Sequence, residues 1–251
     1  MKTKNYFYPI ILGLGLLLNS CVSSKKMVYF ENESATSIEN IAKYEVKIQP
    51  DDLLDINVSS VNPTAAIPFN LYESAANINN PKPLLYLVDS EGTISFPVIG
   101  NIEVEGLTTN EIKHKITGIL KDYLKNPVIN IRLKNFKITV LGEVKKPGAY
   151  FVPNERITIL EAIGLAGDLN IQAKRAKIKL IRESGGKRTK TTFDLTSENL
   201  FNSPYFYLAQ NDIIYVEPNK AKINSSVVGA NTSIIFSSIS TLISIIAILT
   251  R

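Results

Sequence analysis

The chain has one cysteine, Cys21, and one histidine, His114, in 251 residues. A single cysteine excludes an internal disulfide. A single histidine, with no Asp, Glu or Cys partner at metal-ligand spacing, leaves no metal constellation and reads as an exposed helix residue. There is no phosphate-cradling glycine loop and no serine elbow. Carboxylate pairs such as Asp51 with Asp52 can be written down, and a glycoside hydrolase would use two. Adjacent turn residues point to opposite faces, however, so this pair reads as a solvated turn. The expectation is a protein that is not an enzyme and carries no cofactor and no metal. Charge of one sign is also scarce. The formal net charge of +5 falls to +3 once Lys2 and Lys4 are set aside, which calls for neither nucleic acid nor a strongly acidic partner.

What is present is most distinctive at the two ends. Lys2 and Lys4 precede an apolar run from Ile10 to Leu18, and Leu18-Asn19-Ser20-Cys21 follows in the order of a cleaved secretory leader. Residues 1–20 are expected to be removed. The lone cysteine falls at the cleavage point, which resembles the lipobox of bacterial lipoproteins and implies acylation of Cys21. Several acyl chains, at ~0.8 kcal/mol per buried methylene, hold a protein on a membrane essentially permanently. Residues 21–43 then read as a polar tether.

At the other end, 227–250 holds no charged residue, and a helix over it at ~1.5 Å per residue reaches ~36 Å, enough for a ~30 Å hydrocarbon core. Ser226, Ala230, Ser233, Ser237, Ser240, Ser244 and Ala247 recur at alternating spacings of four and three and share one face of that helix. Lipid supplies no hydrophobic drive between helices, so a small and hydroxyl seam marks close approach of another helix or of water. Two readings stand: a single tail anchor whose serines satisfy their own carbonyls, or a ring of identical helices whose seams meet or line a lumen.

Between the ends, 45% hydrophobic residues are enough for one large or two small domains with real cores. Tyr44–Ile48 and Leu53–Val58 alternate apolar and polar around Gln49-Pro50-Asp51-Asp52 and read as two strand pieces. Ser59–Pro83 reads as a long loop. Leu84–Val88 and Thr93–Phe96 read as a hairpin over a turn with Gly92 at positive φ. Thr108 and Glu111 form a capping-box spacing before Ile112, Ile116, Ile119, Leu120 and Leu124, with Asn126-Pro127 as the stop. Val128–Leu133 and Phe136–Leu141 read as strands, and Pro147-Gly148 as the centre of a type II turn. Thr158 and Glu161 open a helix over Ile159–Ala166 that Gly167 ends. A charged hairpin turns over 183–187, Tyr205, Phe206 and Tyr207 read as packing more than as sugar-stacking rings, and Ile213–Val216 reads as a strand.

Taken together these segments resemble the polysaccharide biosynthesis/export protein family, outer-membrane lipoproteins that carry a soluble-ligand-binding β-grasp (SLBB) domain. The resemblance rests on Pro50-Asp51-Asp52-Leu53-Leu54, on Val88 to Gly100 with Gly92, Pro97 and Gly100, and on Gly106-Leu107-Thr108. It continues in Gly142 before Pro147-Gly148, and in Leu160-Glu161-Ala162-Ile163 before Gly167. Asp51 and Asp168 stand where the family usually has glycine. The resemblance implies an α+β fold: an export domain over 44–135, a β-grasp domain over 136–217, a linker over 218–226 and a transmembrane helix over 227–250. It also implies that the strands of 44–58 pair with the second domain, and that Pro50, Asp52, Gly92, Pro97, Gly100, Gly106, Thr108, Gly142, Pro147, Gly148 and Gly167 are structural. Functionally it implies a homo-oligomeric ring exporting capsular or exopolysaccharide across the outer membrane, partnered by an inner-membrane polysaccharide co-polymerase and its tyrosine kinase. The alternative is a monomeric, membrane-tethered periplasmic glycan-binding or adaptor lipoprotein.

Overall fold

The computed structural model describes residues 28–30, 44–73, 82–228 and 232–249. The leader, Cys21, most of the tether and Ala230 lie outside the described residues.

The first domain is built on β1 (Leu53–Ser59), which pairs antiparallel with β2 (Tyr86–Leu87) and with β5 (Val128–Leu133) in the order β2-β1-β5. Period-2 alternation puts Leu54, Ile56 and Val58 of β1 on the inner face beside Ile129 and Ile131 of β5. The helix α2 (Thr109–Leu120) buries Ile112, Ile116 and Leu120 in the same core, at the 3.6-residue period its sequence predicts. Thr108 and Glu111 close the capping box at its start, and Asn126 at φ 51 leads out toward Pro127. Ile116 is fully enclosed, so Ile116→Ala would cost about 2–5 kcal/mol. The hairpin of β3 (Thr93–Phe96) and β4 (Gly100–Glu103) adds Ile94, Phe96 and Ile102 to the core.

The second domain is a five-stranded sheet of β6 (Lys137–Gly142), β7 (Gly148–Phe151), β8 (Ala173–Ser184), β9 (Lys187–Phe193) and β10 (Ile213–Pro218), in the order β7-β6-β10-β8-β9. The β6/β10 pair is parallel and the others antiparallel. The short helix α3 (Ile159–Leu165), opened by the Thr158/Glu161 capping box, packs its Ile159, Ala162 and Ile163 into the core with Ile138, Val140, Leu180 and Ile214. Gly185 and Gly186, both at positive φ, turn β8 into β9.

The register gives this sheet two distinct poles. Ile213 lies opposite Ile181 and Pro218 opposite Ala173, so β10 runs away from the β8–β9 turn. Lys137 and Asn211 meet at one pole, where the Asn211 amide donates to the Lys137 carbonyl. Gly142, Ala173 and Pro218 gather at the other. The first domain joins at the Lys137 pole. Beyond Pro218 the chain leaves through α4 (Lys220–Val228) and α5 (Thr232–Leu249), started by Asn219, whose side chain accepts from the Lys222 amide.

Several expectations are corrected. The strands of 44–58 do not pair with the second domain: β1 finds both partners in the first, and Lys47 makes only an isolated bridge to Thr108. Backbone pairing is set by the nearest compatible edges, which β2 and β5 supply. β2 pairs with β1 in place of β3, and the hairpin is β3–β4. Ser59–Pro83 contains the short helix α1 (Pro63–Ala66), capped by Asn62. Gly148 sits in β7 at ordinary φ, so Pro147-Gly148 is not a type II turn; the left-handed glycine there is Gly142. Among the described residues no helix is long and apolar enough to cross a membrane. α5 has 18 residues, about 27 Å long against a hydrocarbon core of about 30 Å. The expected transmembrane span 227–250 is not among these corrections: it includes 229–231 and 250, which lie outside the described residues, so the described helices do not test it.

Candidate functional site

The two domains are clamped through Asn135, the residue between them. Its side-chain carbonyl accepts from the Leu53 amide at 2.9 Å and its amide donates to the Asp51 carbonyl at 2.8 Å, holding the first domain. Its backbone carbonyl accepts from Gln210 at 2.9 Å, and Gln210 in turn accepts from the Lys137 amide at 2.8 Å, holding the second. Gln210 and Asp52 are both buried beside it. Burial pushes the Asp52 carboxyl up to about 6, against the opposing pull of the Gln49 amide at 2.9 Å and of Gln210.

A second contact ties the start of the first domain to the second. The Tyr44 ring stacks on Tyr207 at 4.9 Å and its hydroxyl donates to the Leu208 carbonyl at 3.2 Å. Behind it, Arg182 donates two hydrogen bonds, at 2.9 and 2.7 Å, to the fully buried Asp212. Arg182 also donates to the Tyr207 carbonyl, and its guanidinium lies 5.2 Å over the Tyr205 ring. Tyr205 and Phe206 pack against the core.

Between these contacts the domains leave a cleft of about 1140 Å³. Val46, Ile48, Leu133 and Val152 supply its apolar lining, and charged and amide groups its walls. Phe151 stands in it 71% exposed. At the opposite pole the segment Val28–Phe30 is strapped onto the second domain. The Tyr29 hydroxyl donates to Asp168 at 2.6 Å, its ring lies 5.8 Å from the Arg175 guanidinium, and the Phe30 ring lies 5.0 Å from Phe201. Burial, then the bond to Asp168, pushes the Tyr29 phenol far up.

The residues singled out in the sequence fall elsewhere. Pro50, Asp52, Gly92, Pro97, Gly100, Gly106, Thr108, Gly142, Pro147, Gly148 and Gly167 shape turns, caps and strand ends, and none lines the cleft. Gly142 is the most constrained: at φ 91, a Cβ there would run into the Val216 carbonyl of the neighbouring strand. Asp51 and Asp168, at φ 70 and 74, hold the left-handed turns that glycine would otherwise take. His114 is exposed on α2.

Of the seam, Ser226 lies in α4, whereas Ser237, Ser240 and Ser244 lie in α5 and donate to carbonyls one turn back at 2.7 to 3.1 Å. The side chains of Ser233 and Ala247 lie outside the described residues. Asn135, Gln210, Arg132, Phe151 and Tyr29 were missed by sequence reasoning. Only Phe151, an aromatic just before Val152-Pro153-Asn154, left a local signal.

This geometry defines a class: a two-domain α+β chain whose second domain bears, at the pole away from the first, both an N-terminal strap and an exposed apolar helix. A family model described as polysaccharide biosynthesis/export protein matches residues 40–134, and one described as SLBB domain matches residues 137–192. The chain belongs to the polysaccharide biosynthesis/export family. It is 30% identical over 184 residues to the EPS I polysaccharide export outer membrane protein EpsA of Ralstonia solanacearum, covering 69% of this chain and 48% of the relative. EpsA of Ralstonia nicotianae is 29% identical over 150 residues, 58% of this chain and 39% of the relative. The exopolysaccharide production protein ExoF of Rhizobium meliloti is 32% identical over 90 residues, 34% of this chain and 21% of the relative. The chain thus spans about half the length, or less, of the relatives it matches.

Proposed function

We propose that this chain is a non-enzymatic subunit of an outer-membrane channel that exports capsular or exopolysaccharide. A lipid on Cys21 and a membrane-spanning helix over 227–250 hold it in the outer membrane, with both folded domains in the periplasm. The observation that carries this reading is α5. Its Ile235, Phe236, Ile239, Leu242 and Ile243 are all exposed among the described residues. A continuous apolar helix surface of this kind calls for lipid or other copies of itself. The polarity of the second domain agrees. The strap after the proposed lipid and the root of the helix both sit at its Pro218 pole, so two anchors can reach one membrane while the first domain points away from it.

A ring of such helices would bring the seams of Ser237, Ser240 and Ser244 together. Their hydroxyls donate within the helix yet retain acceptor lone pairs, which offer weak, exchangeable contacts to sugar hydroxyls and let a polymer slide without a deep trap. The partner at the far end would be an inner-membrane polysaccharide co-polymerase with its kinase. A monomeric tethered adaptor is the second reading, favoured by the same intrahelical serine bonds. In the channel reading Ser237→Leu and Ser240→Leu each abolish a discrete high-order native mass in detergent and reduce export to background. Normal mass and normal export in both variants would overturn it.

A further inference from the structure

We propose that the cleft between the domains is a saccharide subsite selective for carboxylate-bearing sugars, with Arg132 as the anion contact and Phe151 as the stacking surface. The inference rests on the export reading only in taking the ligand to be a glycan. The cleft, about 1140 Å³, is somewhat larger than the ~300–1,000 Å³ of ordinary ligand sites and has room for more than one sugar ring.

One cation on its wall, Arg132, is left without an ion pair among the described residues for a structural reason. In the β1–β5 register Arg132 lies directly opposite Asp55, the natural counter-ion for a cross-strand pair. Asp55 is instead taken by Lys134 at 3.2 Å. Among the described residues Arg132 therefore makes no ion pair, and its planar fork of donors, suited to a carboxylate, faces the cleft. Phe151 sits on β7, an edge strand, with an aromatic ring that no core side chain covers. Such a ring can stack on the apolar face of a sugar.

The wall opposite is braced. Arg156 lies 5.7 Å over Tyr207, and Tyr207 stacks on Tyr44, which lines the cleft. Arg156 is thus partly engaged, and Arg132 is the freer cation. Glu45 and Glu155 are the acidic groups of the cleft; Asn110 approaches Glu45 at 3.5 Å, and Glu155 stands beside Asn154, where both can meet sugar hydroxyls. A docked second copy of this chain is the rival occupant. The centre of a protein interface is depleted of charge, whereas Glu45, Arg132, Lys134, Glu155 and Arg156 all line this cleft, which suits a wet, hydroxyl-rich ligand better.

The test is calorimetric titration of the full chain in detergent with tetragalacturonate, against neutral cellotetraose, with native mass measured on the same samples. Wild type is expected to bind the acidic probe in preference, with affinity falling as salt rises. Arg132→Ala should weaken acidic binding about tenfold and erase the preference. Phe151→Ala should weaken both probes, and Lys125→Ala, a lysine outside the cleft, neither. No binding by wild type, or no preference, overturns the subsite. So does a loss of native mass in Arg132→Ala without a loss of binding, which would make the cleft an interface between copies. A high-order wild-type mass with no probe binding sinks the subsite and leaves the channel standing. A monomer that binds, and loses binding in the variants, does the reverse.

Discussion

Asp52 and Asp212 are both buried carboxylates, and their surroundings set them apart. Asp212 is met by the fork of Arg182 and accepts from the Ala209 amide at 2.8 Å. Removing one partner leaves a charge stranded in the interior, so Arg182→Met should lower stability by about 3–5 kcal/mol, read as a fall in urea midpoint. Asp52 has amide partners but, among the described residues, no cation, and its carboxyl is pushed up to about 6. It binds a proton more tightly folded than unfolded. The associated stability is complete below about pH 4 and is lost as pH rises through about 6. Wild type should therefore lose about 1–2 kcal/mol over that interval, while Asp52→Asn, which keeps an acceptor for the Gln49 amide, should lose much less. Denaturation curves taken across that range separate the two.

The elements differ in how openly the sequence announces them. Both capping boxes, the inward face of α2 and the β8–β9 turn follow from short spacings, because cap and period act within one or two turns of chain. Strand partners were less legible. The 44–58 segment carries the alternation of a strand, but which edge it joins depends on β5, some seventy residues later, and alternation does not encode that choice. The Pro147-Gly148 pair misled because the dipeptide suits a type II turn, while the position that needs a left-handed residue was five residues earlier. That contrast is testable: Gly142→Ala, strained at φ 91 and blocked by the Val216 carbonyl, should cost about 3 kcal/mol or more. Gly148→Ala, with open space around it, should change the thermal midpoint little. The cleft was not legible at all, since Arg132 and Phe151 come together only once Asn135 has fixed the two domains.

For the whole molecule, the strap and the clamp decide how the ends relate to the body. Asp168→Gly keeps the left-handed turn but removes the acceptor of the Tyr29 hydroxyl, so protease cleavage around Val28–Phe30 should quicken while the global midpoint stays near wild type. A midpoint that falls with it would mean the strap is part of the domain's own stability. The parallel pairing of β6 with β10 has a mechanical consequence. The first domain is attached at the N-terminal end of β6 and the helices α4 and α5 follow the C-terminal end of β10, and these ends lie at opposite poles. Tension along the protein therefore slides the two strands past each other and loads the hydrogen bonds from Ile213↔Thr139 to Val216↔Gly142 together, with no single end from which to peel them. Under the proposed anchoring, any pull between the membrane and a partner held by the first domain passes through this pair of strands, which meet as a lap joint.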